Sequence, residues 1–536
     1  MNRIILLVSL ATLVQWGSNV MGQIADNGAP KLSTTIVANS FWSSSASGNS
    51  YSSETKKDID RAIEGMPKTL MVTEGLSDSA RASQLQWAVK VVNAIRDDKV
   101  TLLVPAGRYD FSTLGGAHVD TPNEGPARAF MPKLVVTRNH VTLQGQGHPV
   151  FTYAGPGTNQ SSHGRVLLWI PYSAKGSTID DVTISGIDWV GDQSYDRILE
   201  AEYSAHENHE VLLGIFSHGY RYGLIMSGFP GKVPSQRHIV IEDSVFKNFN
   251  LQAIHLTGGA TISRVQVEGV FPSPSEAFVP IFANIEKALQ KKIGPHLGDA
   301  FQTAIEQDGS NSTTTVRDSE FSHLNEGLQC GYNEERFEVL SNRFQAVFDH
   351  SVYILSNRQN LRIVGNQFTS PWEAAIKVGA SSTALPLRYS AEIAANVFKE
   401  PHKYSLLFSG SFANVHDNRT QHDDSSSFPD YRITTGGGQA GWSNHAMENR
   451  FVNNQAIILL EQFVDAEDRS IAGNVFEGEK QTVYFHAKEN SAFPAVIDVA
   501  GSRLIYGAPP QCTQCYPNAT GYLSRKETNR SNSGVQ

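Results

Sequence analysis

Cysteine is scarce, with three in 536 residues. Three thiols cannot all pair, which excludes a disulfide-stapled framework. Cys512 and Cys515 in CTQC have the spacing of one small disulfide in an oxidising compartment, and Cys330 sits in an apolar alternation as a core residue. Positive charge is also in deficit: 44 Lys and Arg against 53 Asp and Glu give a formal charge of −9. That balance argues against nucleic acid and anionic membranes as general partners, while leaving room for an anionic polysaccharide in a locally basic groove. Long apolar runs are missing after the first residues, so no membrane span is expected downstream.

The exception at the start is Ile4 to about Trp16, preceded by Arg3 and followed by small and polar residues to Gly22. One positive charge, a short apolar core and a small residue before Gln23 predict a secretory signal peptide over 1–22. The expected product is secreted or periplasmic. Residues 23–75 are Ser-, Thr- and Asn-rich and are expected to be irregular, and 508–536 read as a flexible tail.

Between them lies a ladder. A small residue or Asn, any residue, then Phe recurs in SVF, GVF, SEF, NRF, NQF, NVF, NRF and NVF, ending at Phe246, Phe271, Phe321, Phe344, Phe368, Phe398, Phe451 and Phe476. Asn418-Arg419-Thr420 is a degenerate copy inside one doubled interval. A period near 24 with loop-sized excesses is the mark of stacked coils. Each coil supplies short β-type runs (VYILS, LRIVG, AIKVG, AIILL) and no long helix, which fits badly with leucine-rich, ankyrin or tetratricopeptide arrays. Asn and Gly suit left-handed corners, and the Phe two residues later is expected to stack inward.

This combination resembles the right-handed parallel β-helix of pectate-lyase-like carbohydrate-active enzymes. The resemblance implies an all-β solenoid over 76–507. The amphipathic run SARASQLQWAVKVVNAIRD (79–97) caps its open end, and "VPAGRY" follows as the entry strand. Residues 272–312 carry FANIEKALQKKI at helical spacing and read as a partly helical insertion or lid beside the groove; the polar loop 420–444 is expected to face the same side.

Aligning the strand after each corner on its inward residues places Ile254, Leu328, Val352, Ile376, Leu406, Ile457 and Val483 in one row, and Leu256, Cys330, Ile354, Val378, Phe408, Leu459 and Phe485 in the next. The outward residues between them are His255, Gln329, Tyr353, Lys377, Leu407, Ile458 and Tyr484. Neighbouring rungs lie about 4.8 Å apart, so Gln329, Tyr353 and Lys377 form one polar column with His255 at its upper end. In the preceding corner Asn325, Asp349 and Glu373 align, with Glu326 and His350 just after the first two, and Lys403 ends the acidic row.

Concentrated ionisable groups on a few rungs point to a site. β-Elimination on a uronate-containing polysaccharide needs a base for the C5 proton, an acid for the leaving oxygen and a cation at the carboxylate. Tyr353, Lys377, His255 and His350 are the candidate catalytic groups. Gln329, Glu326 and Arg358 are candidate substrate contacts, and Asn325, Asp349 and Glu373 are oxygen ligands suited to Ca²⁺. The β-helix alginate and chondroitin lyases pair a Lys with an Arg on adjacent coils; here the rung before Lys377 carries Tyr353, and Arg358 and Arg362 lie further along it. The alternatives are a glycoside hydrolase or transglycosylase using Asp349 and Glu373, or a non-catalytic carbohydrate-binding solenoid. The paired-Asp and Gly-His-Gly pattern of polygalacturonases is absent.

Overall fold

The computed structural model describes residues 34–36, 70–71, 76–94, 99–116, 132–153, 166–171, 179–192, 224–227, 237–249, 252–273, 302–307, 313–330, 336–354, 360–379, 391–422, 429–435, 446–462, 473–486, 497–500 and 503–506. The expected signal peptide, the CTQC pair, the helical part of the insertion, Arg358 and the tail lie outside these residues.

One coil shows the plan. Arg336–Leu340 enters the first sheet, Arg343–Gln345 the second and His350–Ile354 the third. Each strand pairs in parallel with its counterpart one coil on. Among the described residues the first sheet has 15 strands, the second 10 and the third 13. The chain is a parallel β-helix, as the period implied. Its core is the stacked interior of the coils, with Phe321, Phe344, Phe368 and Phe398 forming a ring column at centroid spacings of 4.9, 4.9 and 5.1 Å.

The asparagine of the repeat does something other than turn the corner. The left-handed residue is the one before it: Ser341, Gly365, Ala395 and Asp417, with φ of 57, 70, 52 and 55°. Asn342, Asn366, Asn396 and Asn418 are buried, and each backbone N–H and side-chain amide donates to the Oδ1 of the next asparagine down. Each amide also donates to the carbonyl of a first-sheet strand one coil up, such as Asn396 to Ile363 at 2.8 Å. These bonds satisfy the backbone groups that the corner strips from the ladders.

Four sequence expectations are corrected here. Val267, not Phe271, holds the ladder position between Phe246 and Phe321; Phe271 packs at the next corner near Phe348. Phe451 and Phe476 stand in the first sheet, opposite Val415, because the last described coils have no second-sheet strand. Thr303–Gln307, inside the expected insertion, is a regular third-sheet strand. Finally, Tyr431–Thr435 is an additional rung, and Ile458 rather than Ile457 faces inward beneath it. Ile458 is 0% exposed and Ile457 42%. An all-apolar run such as AIILL has no alternation from which to read its phase.

The first coil is capped as expected by α1 (Asp78–Ala94). Ser77 caps its start, accepting from the Ala80 N–H at 3.3 Å. Asn93 donates to Val135 O at 2.7 Å and accepts from Thr137 N at 3.0 Å, covering the edge of the terminal third-sheet strand. Two short strands in the segment expected to be irregular, Thr34–Ile36 and Leu70–Met71, pair with Val100–Val104. Among the described residues no helix is long and apolar enough to cross a membrane.

Candidate functional site

The three sheets differ in exposure. First- and second-sheet strands alternate between core and solvent, whereas third-sheet strands such as Gln252–Leu256, Glu326–Cys330 and Tyr404–Phe408 are buried on both faces. The part-open positions at the centre of this sheet are Glu306, Tyr353, Lys377 and, further down, Arg432. The registers His255–Glu306–Gln329–Tyr353–Lys377–Leu407–Arg432 make these one outward column. Gln329, Tyr353 and Lys377 are adjacent rungs, as the alignment expected. Glu306 and Arg432 were missed, because their strands lie beside long insertions that break the 24-residue period.

Five groups converge in the middle of the column. The Lys377 ammonium lies 4.3 Å from the centroid of the Tyr353 ring. The His350 ring is 4.8 Å from the same ring on its own strand. His350 Nδ1 faces Asp349 Oδ1 at 3.1 Å and Glu326 Oε1 at 3.3 Å. Glu326 is 1% exposed and His350 3%, so both support the site from below; the Asp349 side chain is one-third open at its edge.

Burial opposes ionisation of Asp349, but the charge and hydrogen bond of His350, the Lys377 charge and a hydrogen bond with Glu326 hold its carboxyl below the usual range. Burial and Lys377 work against a charged His350, yet the Asp349 charge and the bonds to Asp349 and Glu326 hold its imidazole above the usual range. The sign of the pH dependence follows for each. Asp349 contributes stability above the ordinary carboxylate value and loses it as pH falls through its lowered value. His350 contributes below the ordinary imidazole value and loses it as pH rises through its raised value. The melting-temperature gap between wild type and Asp349→Asn is therefore widest at about pH 4–6.5 and narrows on both sides. A gap independent of pH in thermal unfolding would refute the ion pair.

Gly327, next to Glu326, sits where two coils touch. A Cβ there would lie 2.2 Å from Ser351 O and 3.1 Å from the Phe344 ring, so the coils approach too closely for any side chain. Gly327→Ala is expected to cost about 1–3 kcal/mol in denaturant unfolding.

The remaining expected residues are dispersed. His255 is 2% exposed, three rungs above Tyr353, and paired with Glu306 at 3.4 Å. Glu373 is bonded to Lys403 through Oε2 and Nζ, and Asn325 is 2% exposed in the corner above Asp349. A cation at the expected oxygen set would compete with Lys403 for Glu373 and with His350 for Asp349. The ligand atoms that do gather within 4.8 Å are those of Glu326, Asp349 and His350. An imidazole paired with both carboxylates does not suit Ca²⁺, which prefers oxygen ligands free to face it.

No family model matches the chain, and no curated protein matches it in sequence. Solved structures do. The chain is similar to the Dettilon tailspike protein gp208, at 12% identity and a TM-score of 0.47, over 80% of this chain and 68% of that one. It is similar to the A-module of the Azotobacter vinelandii mannuronan C-5 epimerase AlgE6, at 12% identity and 0.40, over 81% and 97%. It is also similar to the Yersinia enterocolitica family 28 exopolygalacturonase, at 10% identity and 0.38, over 80% and 76%. At these identities the likeness is one of architecture.

Proposed function

We propose that the protein is a polysaccharide-acting enzyme that cleaves a uronate-containing glycan by β-elimination in the third-sheet groove. The observation that carries this reading is Tyr353 held part-open between the Lys377 ammonium at 4.3 Å and the buried His350 ring at 4.8 Å. A uronate seated on this rung presents its carboxylate to Lys377, which offsets the charge that develops there as the C5 proton leaves. Tyr353, acting as the phenolate, accepts that proton and becomes the phenol. The C5–H electron pair forms the C4–C5 double bond, the C4–oxygen bond breaks, and Tyr353 returns the proton to the departing oxygen, ending as it began. The Lys377 ammonium beside the ring stabilises negative charge on its oxygen during the transfer. Glu326 and Asp349 position and charge His350 without touching the sugar.

The hydrolytic reading gains less from the geometry. It needs Asp349 and Glu373 as an acting pair, and both are engaged, by His350 and Lys403 respectively. Incubation with a panel of uronate polysaccharides separates the two. Ultraviolet absorbance from unsaturated ends, rising in step with reducing ends, is the expected result; reducing ends without that absorbance mean hydrolysis, and neither signal on any glycan overturns an enzymatic role.

A further inference from the structure

The outward column is electrically lopsided, which bears on which uronate glycan fits. Below Tyr353 stands Lys377. Above it come Gln329 and then Glu306, whose side chain is 21% exposed while that of His255 behind it is 2% exposed. The half-open groups thus run from the Glu306 acid at the top, past the buried Gln329, to the Tyr353 phenol and the Lys377 cation. These positions are stacked on successive rungs about 4.8 Å apart along the solenoid axis. A linear glycan lying along the column therefore meets roughly one rung per sugar.

We infer that Glu306 is a specificity-determining residue: it disfavours a carboxylate two sugars from the cleavage rung, so that the substrate is a heteropolysaccharide with isolated uronates rather than a homopolyuronate. This rests on the β-elimination reading. A uronate with C5 at Tyr353 and its carboxylate turned toward Lys377 on the next rung puts the next sugar at the Gln329 rung and the one after against Glu306. A homopolyuronate would bring a second carboxylate to face Glu306 in a part-buried site, where like charges repel with little screening. A neutral or amino sugar at the same place offers hydroxyl or ammonium donors that the Glu306 carboxylate accepts.

The test compares wild type with Glu306→Gln, an isosteric change that removes the charge. Oligogalacturonate binding is measured by calorimetry at low and high salt, and unsaturated product is followed on polygalacturonate and on gellan, whose uronates are separated by neutral sugars. Glu306→Gln is expected to bind oligogalacturonate about tenfold more tightly at low salt, with the gain shrinking at high salt. Wild type is expected to prefer gellan in kcat/KM, and the variant to lose that preference. Equal affinities for oligogalacturonate, or no binding by either protein, overturn the inference whatever the turnover data say. The β-elimination reading fails separately, if the affinity difference holds and no glycan in a wider uronate panel yields unsaturated ends.

Discussion

Tyr353→Phe is expected to leave the solenoid folded and to lower the yield of unsaturated ends by a factor of about 10²–10⁴. The ring stays, so its contacts with Lys377 and His350 are preserved. Only the oxygen that moves the proton is removed. Because the loss falls on the chemical step, kcat drops while KM changes little. Lys377→Ala is expected to behave differently. It removes the group that meets the substrate carboxylate, in the ground state and more strongly as charge develops, so KM rises and kcat falls together. His350→Asn separates support from contact: it removes the buried ring that packs against Tyr353 without touching the sugar, so its effect on kcat is expected to be smaller than that of Tyr353→Phe. Full activity in both Tyr353→Phe and Lys377→Ala, measured by absorbance under saturating substrate, would remove the catalytic rung.

The second large effect is structural. Asn396→Ala is expected to destabilise the protein by about 3–5 kcal/mol. Asn396 is 0% exposed and donates through Nδ2 to Ile363 O and Asn418 Oδ1 at 2.8 and 2.9 Å. Its Oδ1 accepts from the Asn366 backbone N–H at 2.9 Å and from Asn366 Nδ2 at 3.0 Å. Truncation strands a buried carbonyl and a buried N–H, each of which keeps its desolvation penalty. In a solenoid each coil contacts only its neighbours. Hydrogen exchange should therefore lose protection first around residues 360–370 and 391–422, with the first coils holding longer. Gln345→Ala, an exposed substitution on a second-sheet strand, serves as the control and is expected to stay within about 0.5 kcal/mol. If the two substitutions cost the same in denaturant unfolding, the amide ladder contributes no special stability.

The parallel β-helix was legible from the sequence alone, because one coil is one repeat and repetition survives any uncertainty about its phase. Phe321, Phe344, Phe368 and Phe398 recur at coil length since each must stack on the last, and the alternation around Val352 and Ile376 carries the register of the central rungs. For the same reason the adjacency of Gln329, Tyr353 and Lys377 could be read in advance. Where spacing departed from the period, the reading slipped. The rung holding Glu306 was hidden behind an insertion, the rung holding Arg432 inside a polar loop, and Phe451 and Phe476 moved to another sheet. The role of the repeated asparagine was also out of reach, since left-handed propensity is a local property and an amide ladder is not.

The site divides along the same line. Sequence alone determined that Gln329, Tyr353 and Lys377 share one column, because a parallel sheet converts a period into a contact. Only the tertiary structure decided what those residues do there: it buried Glu326 beneath His350, engaged Glu373 with Lys403, set His255 three rungs from Tyr353 and opened Glu306 to the groove. Burial and pairing set the charge of a group, and both depend on side chains from neighbouring coils and on which corners are covered, which no single coil's sequence encodes.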